Sequence, residues 1–206
     1  STDLALPPRP RPASDGNEMP RLFTGLEIPP HETRELAALR GGLPGARWVE
    51  PEDYHITLRF IGEVGVSLAN EIARELDGLR TREINVTIER LWVFGSDRPR
   101  SIVAQVKATD AFCGLQAEHE RLMRRLGLRA EHRKFLPHVT LARVRNASAQ
   151  DAAAYIESRG AFNASGDEIR GEWHRPAPDF RTSGSRWIRI GDRPKVARIV
   201  PGYLIA

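Results

Sequence analysis

Apolar residues recur with a period of two in some stretches of this chain and with a helical period in others, and the two kinds of stretch are interleaved. Arg21–Ile28 (RLFTGLEI) predicts a strand, which Pro29-Pro30 stop; the same prolines suit the first turn of a helix over His31–Arg40, closed by Gly41-Gly42. Leu43–Gly45 reads as loop, and Pro51–Asp53 as a turn before a strand at His55–Ile61. Leu68, Ile72, Leu76 and Leu79 lie along one face of a helix over Val66–Leu79. Ile84–Phe94 and Ser101–Ala108 predict strands joined by the turn Gly95–Arg100, hence a hairpin. Ala111–Leu126 predicts an amphipathic helix ended by Gly127, His138–Val144 a strand, and Ala149–Ser158 a helix with Gly160 beyond it. Past Gly160 only Trp187–Ile190 and Ala197–Val200 read as extended. Interspersed helices and strands with a hairpin among them point to an α+β fold with antiparallel sheets rather than a doubly wound parallel sheet.

The 206 residues divide, on this pattern, into a tail at 1–19 and a single domain at 20–206. The tail carries Pro7, Pro8, Pro10 and Pro12 with few large apolar residues, a composition that favours disorder. No run approaches the ~20 apolar residues of a membrane helix, so no membrane partner is expected. The single cysteine, Cys113, excludes an internal disulfide framework and a Cys-rich zinc module, and fits a reducing, cytoplasmic compartment. Within its helix Cys113 is expected to be a small buried residue. His31, His119, His132 and His174 lack metal-ligand spacing and are expected at the surface, so no metal site is predicted. Gly41–Gly45 lacks the Gly-Lys-Ser/Thr ending of a P-loop.

Charge changes the picture through its distribution. The net charge is only +4, and of 31 basic residues three are lysine (Lys107, Lys134, Lys195). Arginine matches phosphate geometry through its planar fork of donors, although a genome rich in G and C would also raise arginine at the expense of lysine. Residues 121–145 hold eight basic side chains against the single acid Glu131, and residues 170–198 hold eight against three. Concentrated positive charge suits a phosphate-bearing partner, and Arg121, Arg124, Arg125 and Arg129 suggest a helix edge able to guide RNA or simply a solvated face.

One pattern occurs twice. Residues 55–60 read His-Ile-Thr-Leu-Arg-Phe and residues 138–143 read His-Val-Thr-Leu-Ala-Arg, 83 positions apart. In a strand, side chains alternate between faces, so His55 and Thr57 share one face and His138 and Thr140 share one face, with Ile56, Leu58, Val139 and Leu141 turned to the core. Packing alone would keep the apolar members of such a repeat; keeping the polar pair twice points to chemistry. With an unperturbed pKa near ~6.5, one imidazole can serve as general base while its twin serves as general acid. Threonine hydroxyls can hold phosphate oxygens, and nearby arginine can balance developing charge. Opposed acid and base across a phosphorus suit in-line displacement at a phosphodiester, above all a strained cyclic one.

These paired motifs resemble those of the 2H phosphoesterase superfamily. Arg21-Leu22-Phe23, Ala46-Arg47-Trp48-Val49, His55–Glu63 (HITLRFIGE), Val93-Phe94-Gly95 and Phe135–Arg143 (FLPHVTLAR) narrow the resemblance to the bacterial and archaeal RNA 2′,3′-cyclic phosphodiesterases, first described as 2′-5′ RNA ligases. The resemblance implies a bilobal α+β fold, with two antiparallel sheets and flanking helices related by a pseudo-twofold axis and one motif per lobe. It implies hydrolysis of RNA 2′,3′-cyclic phosphate ends to 2′-phosphomonoesters by a hydrolase related to 2′-5′ RNA ligases. The two-histidine arrangement itself predicts that no cofactor or metal is needed, and nothing in the sequence requires more than a monomer. On that resemblance His55 is the proton donor, His138 the proton acceptor, and Thr57 and Thr140 the phosphate holders; pseudo-symmetry by itself allows the reverse assignment of the histidines.

The resemblance also assigns phosphate contact to Arg143, although strict alternation turns it away from His138 unless the strand ends, twists or lets it reach round the edge. Arg59 is in phase with His55 and Thr57 by the same alternation and becomes a second substrate-binding candidate. Phe135 and Phe23 are candidates for stacking on a base, with core packing as the alternative, and Trp48 and Trp92 share that ambiguity. Where the family often has an aromatic residue after the Val-Phe-Gly turn, this chain has Ile102-Val103-Ala104, and no substrate contact carries over beyond residue 160. Two other readings stay open: a 2H enzyme for a small cyclic nucleotide or ADP-ribose cyclic phosphate, and a non-catalytic module that binds RNA ends.

Overall fold

A computed structural model describes residues 21–77, 79, 86–95, 97–160, 186–189 and 196–200. The expected tail at 1–19 and most of the arginine-rich stretch after Gly160 lie outside the described residues. The elements run β1 (Arg21–Glu27), α1 (Pro30–Ala37), β2 (Ala46–Trp48), a 3-10 turn (Pro51–Asp53), β3 (His55–Glu63), α2 (Val66–Asp77), β4 (Ile88–Phe94), β5 (Ser101–Val106), α3 (Asp110–Arg125), β6 (His138–Val144), α4 (Ala149–Glu157), β7 (Arg186–Arg189) and β8 (Val196–Val200). Strand β2, read as unassigned chain in the sequence, is the one added element among the described residues, and three residues are too few to print a period.

The local causes are visible in each element. Pro30 opens α1, where a missing N–H costs nothing. Thr109 caps α3 by accepting from the Phe112 N–H, and Ser148 with Asp151 forms a reciprocal capping box on α4. The β4–β5 turn depends on Gly95, whose φ is +87° and where an added Cβ would lie 2.2 Å from the Arg98 carbonyl oxygen.

All pairings are antiparallel, in the order β4-β5-β6-β3-β1-β8-β7, with β2 also paired to β6. The two sheets implied by the resemblance are therefore joined into one, and the join is narrow: β3 meets β6 through the single pair Ile56–Val139. β2 runs along the same edge of β6, with Arg47 opposite Arg143, and the Val49 N–H donates to Leu141 O at 2.9 Å. The 3-10 turn then leaves the edge and β3 rejoins it. In effect one strand beside β6 is interrupted just before His55.

Two apolar clusters hold the layers together. Ile56, Leu58, Leu91, Ile102, Ala104, Phe112, Val139 and Leu141 form the larger one, and Leu22, Val64, Ile72, Leu76, Leu122 and Met123 seat α2 and α3 on β1. Two helix expectations are corrected. Cys113 is exposed and His119 is buried, because α3 turns Phe112, His119, Leu122 and Met123 inward and position 113 falls off that face.

Candidate active site

Partners in an antiparallel ladder project to the same side of the sheet. Ile56 and Val139 are the residues between histidine and threonine in each motif, and both point into the core at 0% exposure. Extending their register by one residue on either side puts His55 in the row of Thr140 and Thr57 in the row of His138. Each histidine thus stands beside the other motif's threonine, on the face opposite the core. The rows extend through the neighbouring pairings: Glu27, His55, Thr140, Val103 and Trp92 in one, and Gly25, Thr57, His138, Gln105 and Arg90 in the next. Gly25 has a specific reason to be glycine, since a Cβ there would sit 2.8 Å from Ile56 O.

The two imidazoles are anchored alike. His55 Nδ1 lies 2.7 Å from Asp53 O, and His138 Nδ1 lies 2.7 Å from Leu136 O. A carbonyl oxygen only accepts, so each Nδ1 carries its proton and donates, which leaves Nε2 of each ring for acid–base chemistry. The 3-10 turn holds the Asp53 carbonyl, its own N–H groups bonding Asp53 N to Glu50 O at 2.8 Å and Tyr54 N to Pro51 O at 3.1 Å. Ahead of His138, the Val106 N–H bonds Pro137 O at 3.0 Å.

Strict alternation fails in both motifs, at corresponding places. The β5–β6 register shifts between Ile102 and Val103, which leaves Leu141 as an extra residue in β6. Arg143 then pairs with Ser101, in phase with Val103–Thr140 and Gln105–His138, and so shares the face of His138. The β1–β3 register shifts between Thr24 and Gly25, which leaves Leu58 as the extra residue in β3. This corrects the expectation for Arg59: it is turned to the opposite face and is 7% exposed. There its guanidinium bonds Glu120 of α3 and the carbonyls of Phe60 and Arg129. Phe60 takes the place on the histidine side that alternation reserved for Arg59, opposite Phe23.

Aromatic rings frame the histidines. Phe23 is 8% exposed and stacks on His55 with ring centroids 4.6 Å apart, while Phe94 meets His138 edge-on at 4.9 Å. Phe135 faces inward, stacked on Phe112 at 5.8 Å, which removes it from the histidine face. Trp48 likewise packs on Tyr155. Trp92 is different: it is 46% exposed in the row of Thr140, with the Arg90 guanidinium 4.5 Å from its ring and Arg90 Nε donating to Gln105 Oε1 at 2.9 Å. Sequence reasoning also passed over Arg47, whose only signal was its place inside the Ala46–Val49 motif; β2 turns it to the same side as Arg143.

The surroundings of His138 act on its titration. Burial pushes the His138 pKa below the ordinary histidine value, and the Arg143 guanidinium pushes it the same way against the raising effect of the Leu136 carbonyl. Partial burial also lowers the Arg143 pKa, although the residue keeps an exposed surface. Across the strands His138 stands opposite the Gln105 amide, whereas His55 stands opposite the Glu27 carboxylate. Among the described residues no cluster of three or more His, Cys, Asp or Glu side chains could hold a metal ion, and no helix is long and apolar enough to cross a membrane.

A family model described as LigT like phosphoesterase matches residues 26–104 and 105–170. The RNA 2′,3′-cyclic phosphodiesterase of Aeropyrum pernix is 38% identical over 108 residues, covering 52% of this chain and 61% of that protein, less than two thirds of its length. The Bacillus subtilis protein of the same name is 32% identical over 136 residues, covering 60% of this chain and 71% of its own. The crystal structure of E. coli LigT in apo form superposes with a TM-score of 0.53 at 23% identity, over 64% of this chain and 74% of that one, a likeness of fold.

Proposed function

The chain belongs to the LigT-like phosphoesterase family, within the 2H phosphoesterases, and from that premise we propose that it hydrolyses RNA 2′,3′-cyclic phosphate ends to 2′-phosphomonoesters. The observation that carries this reading is the crossed arrangement: two histidines with Nδ1 tied to backbone, each in one row with the other motif's threonine.

In the proposed reaction His138 is the base. Its lowered pKa keeps Nε2 unprotonated near neutrality, ready to take a proton from water as the water oxygen attacks phosphorus. The bond from phosphorus to the 3′ oxygen breaks, and His55 Nε2 delivers a proton to that oxygen. His55, whose Nδ1 proton is held by the Asp53 carbonyl, has its Nε2 left for that delivery. Thr57 and Thr140 donate to the non-bridging oxygens, and Arg143 offsets the charge that gathers on them. Water supplies the oxygen, one proton passes to His138 and one leaves His55, so the protein needs no metal to balance the step. A 5′-hydroxyl in place of water gives a 2′-5′ linkage by the same movements, which accounts for reversible ligation. Trp92 supplies a flat surface for the base of the terminal nucleotide. The protein acts alone, as a monomer, in a reducing cytoplasmic compartment that suits its exposed Cys113.

The test is to incubate the protein with an oligoribonucleotide ending in a 2′,3′-cyclic phosphate, with and without a chelator, and to identify the monoester formed. A 2′-phosphate in both cases is the expected product. A 3′-phosphate, or turnover that stops with chelator and returns with added metal, overturns the reading.

A further inference from the structure

Arg47 and Arg143 are direct cross-strand partners on the face that carries His55 and His138. Both are exposed at the surface, and among the described residues neither makes an ion pair with a carboxylate. Like charges placed directly opposite in an antiparallel pair repel one another. Strand β2 nevertheless holds Arg47 there firmly, because its flanking residues Ala46 and Trp48 both pack against the main core. A three-residue strand whose one outward side chain meets a second arginine fits a site for an anion shared between two guanidinium forks.

The reacting phosphate does not fill that site. The row of Arg47, Arg143, Ser101 and Phe94 lies beyond the row of His55, Thr140 and Val103, roughly two strand residues or ~6.6 Å further on. Arg143 can reach back toward Thr140, but Arg47 sits on the far strand of that pair. One step away from a phosphate held at the histidines is the distance at which a nucleic-acid strand carries its next phosphate.

We propose that Arg47, with Arg143 beside it, binds the phosphate on the 5′ side of the terminal nucleotide, so that the site selects an RNA end over a bare nucleoside cyclic phosphate. This rests on the reading above that a 2′,3′-cyclic phosphate is turned over between His55 and His138. Arg47 is a specificity residue in this scheme; it touches the strand and not the bond that breaks.

The experiment compares a nucleoside 2′,3′-cyclic phosphate with the same compound bearing a 5′-phosphate, at low and at moderate salt. Wild-type protein is expected to prefer the 5′-phosphorylated compound by roughly tenfold or more in kcat/KM, expressed mainly in KM and shrinking as salt rises. Arg47→Met is expected to remove that preference, and Arg47→Lys to keep part of it, since a lysine retains the charge without the fork. Equal losses on both compounds in Arg47→Met, or no preference in the wild type, overturns the inference. Should neither compound be hydrolysed, it is the proposed activity that fails. The Arg47 site is then decided by equilibrium binding of a nucleoside 2′,5′-bisphosphate against the 2′-monophosphate, where the same preference and the same loss are required.

Discussion

Ile56 and Val139 form the single pair through which β3 and β6 meet, and each is the residue between the histidine and the threonine of its motif. The local twofold relation between the strands therefore passes through the middle of the candidate site. His55 answers to His138 and Thr57 to Thr140, although each histidine lies nearest in register to the other's threonine.

Both imidazoles project from backbone anchors rather than from the core, so their removal is a chemical change more than a structural one. His55→Ala and His138→Ala are each expected to lower kcat by ~10²- to 10⁴-fold, with unfolding midpoints close to the wild type. Steady-state kinetics and thermal denaturation on the same samples check this; a variant with wild-type kcat refutes the role given to its histidine.

The acid limb of the pH–rate profile reports the base. In the proposed reaction His138 must be unprotonated to work, and burial and Arg143 lower its pKa, so activity is expected to persist below the usual histidine midpoint of ~6.5 before it falls. Arg143→Gln removes one of the lowering causes, so its limb should move to higher pH while overall activity drops. The unfolded chain binds a proton at this histidine before the folded one does. Stability therefore declines as pH falls below ~6.5, and the decline levels off once His138 protonates in the folded protein.

Arg59 holds α3 to β3 through Glu120, with both side chains largely out of water. Arg59→Met leaves the Glu120 carboxylate without its partner and is expected to cost about 3 kcal/mol of stability. Adding Glu120→Leu should return a large part of that loss. Denaturant titrations of the single and double variants measure it, and the folded fraction of either should keep its KM for substrate.

Gly25 sits one strand over from Thr57, and an added methyl would press on the backbone of β3 at Ile56. Gly25→Ala is expected to cost about 1–3 kcal/mol and to lower kcat as well, because the displaced strand carries both His55 and Thr57. Crystal or solution structure of the variant should show β3 shifted away from β1.

Trp92 contributes little to the core, so Trp92→Ala is expected to change stability by no more than about 0.5 kcal/mol. If its ring carries the base, the same change raises KM for nucleoside cyclic phosphates by an amount worth ~1–3 kcal/mol. A ribose 2′,3′-cyclic phosphate without a base serves as the control, for which the variant and wild type should agree.

The strands, helices and the doubled His-x-Thr pattern were legible because each is a local signal: periodicity, caps, and a repeat. What the sequence hid was non-local. Leu58 and Leu141 look like ordinary core positions, yet each is an extra residue in its strand, visible only once the neighbouring strand is aligned. Alternation read past them exchanges the fates of the residues beyond, turning Arg59 outward and Arg143 inward, the reverse of what the ladders show. Likewise Phe135 reads as a free aromatic before a strand until Phe112 of α3 is brought against it. Arg47 was hidden because β2 is too short to announce itself and owes its position to β6.

The narrow seam also bears on the order of events when the chain is made. The half that emerges first brings His55 and Thr57; the half that completes the pair of histidines ends only at Val144. Neither segment holds both a donor and an acceptor, and the Ile56–Val139 rung that brings them together can close only after both have folded. A nascent chain that has not yet reached Val144 thus lacks half of the paired motif, and the proposed activity cannot appear before β6 is in place.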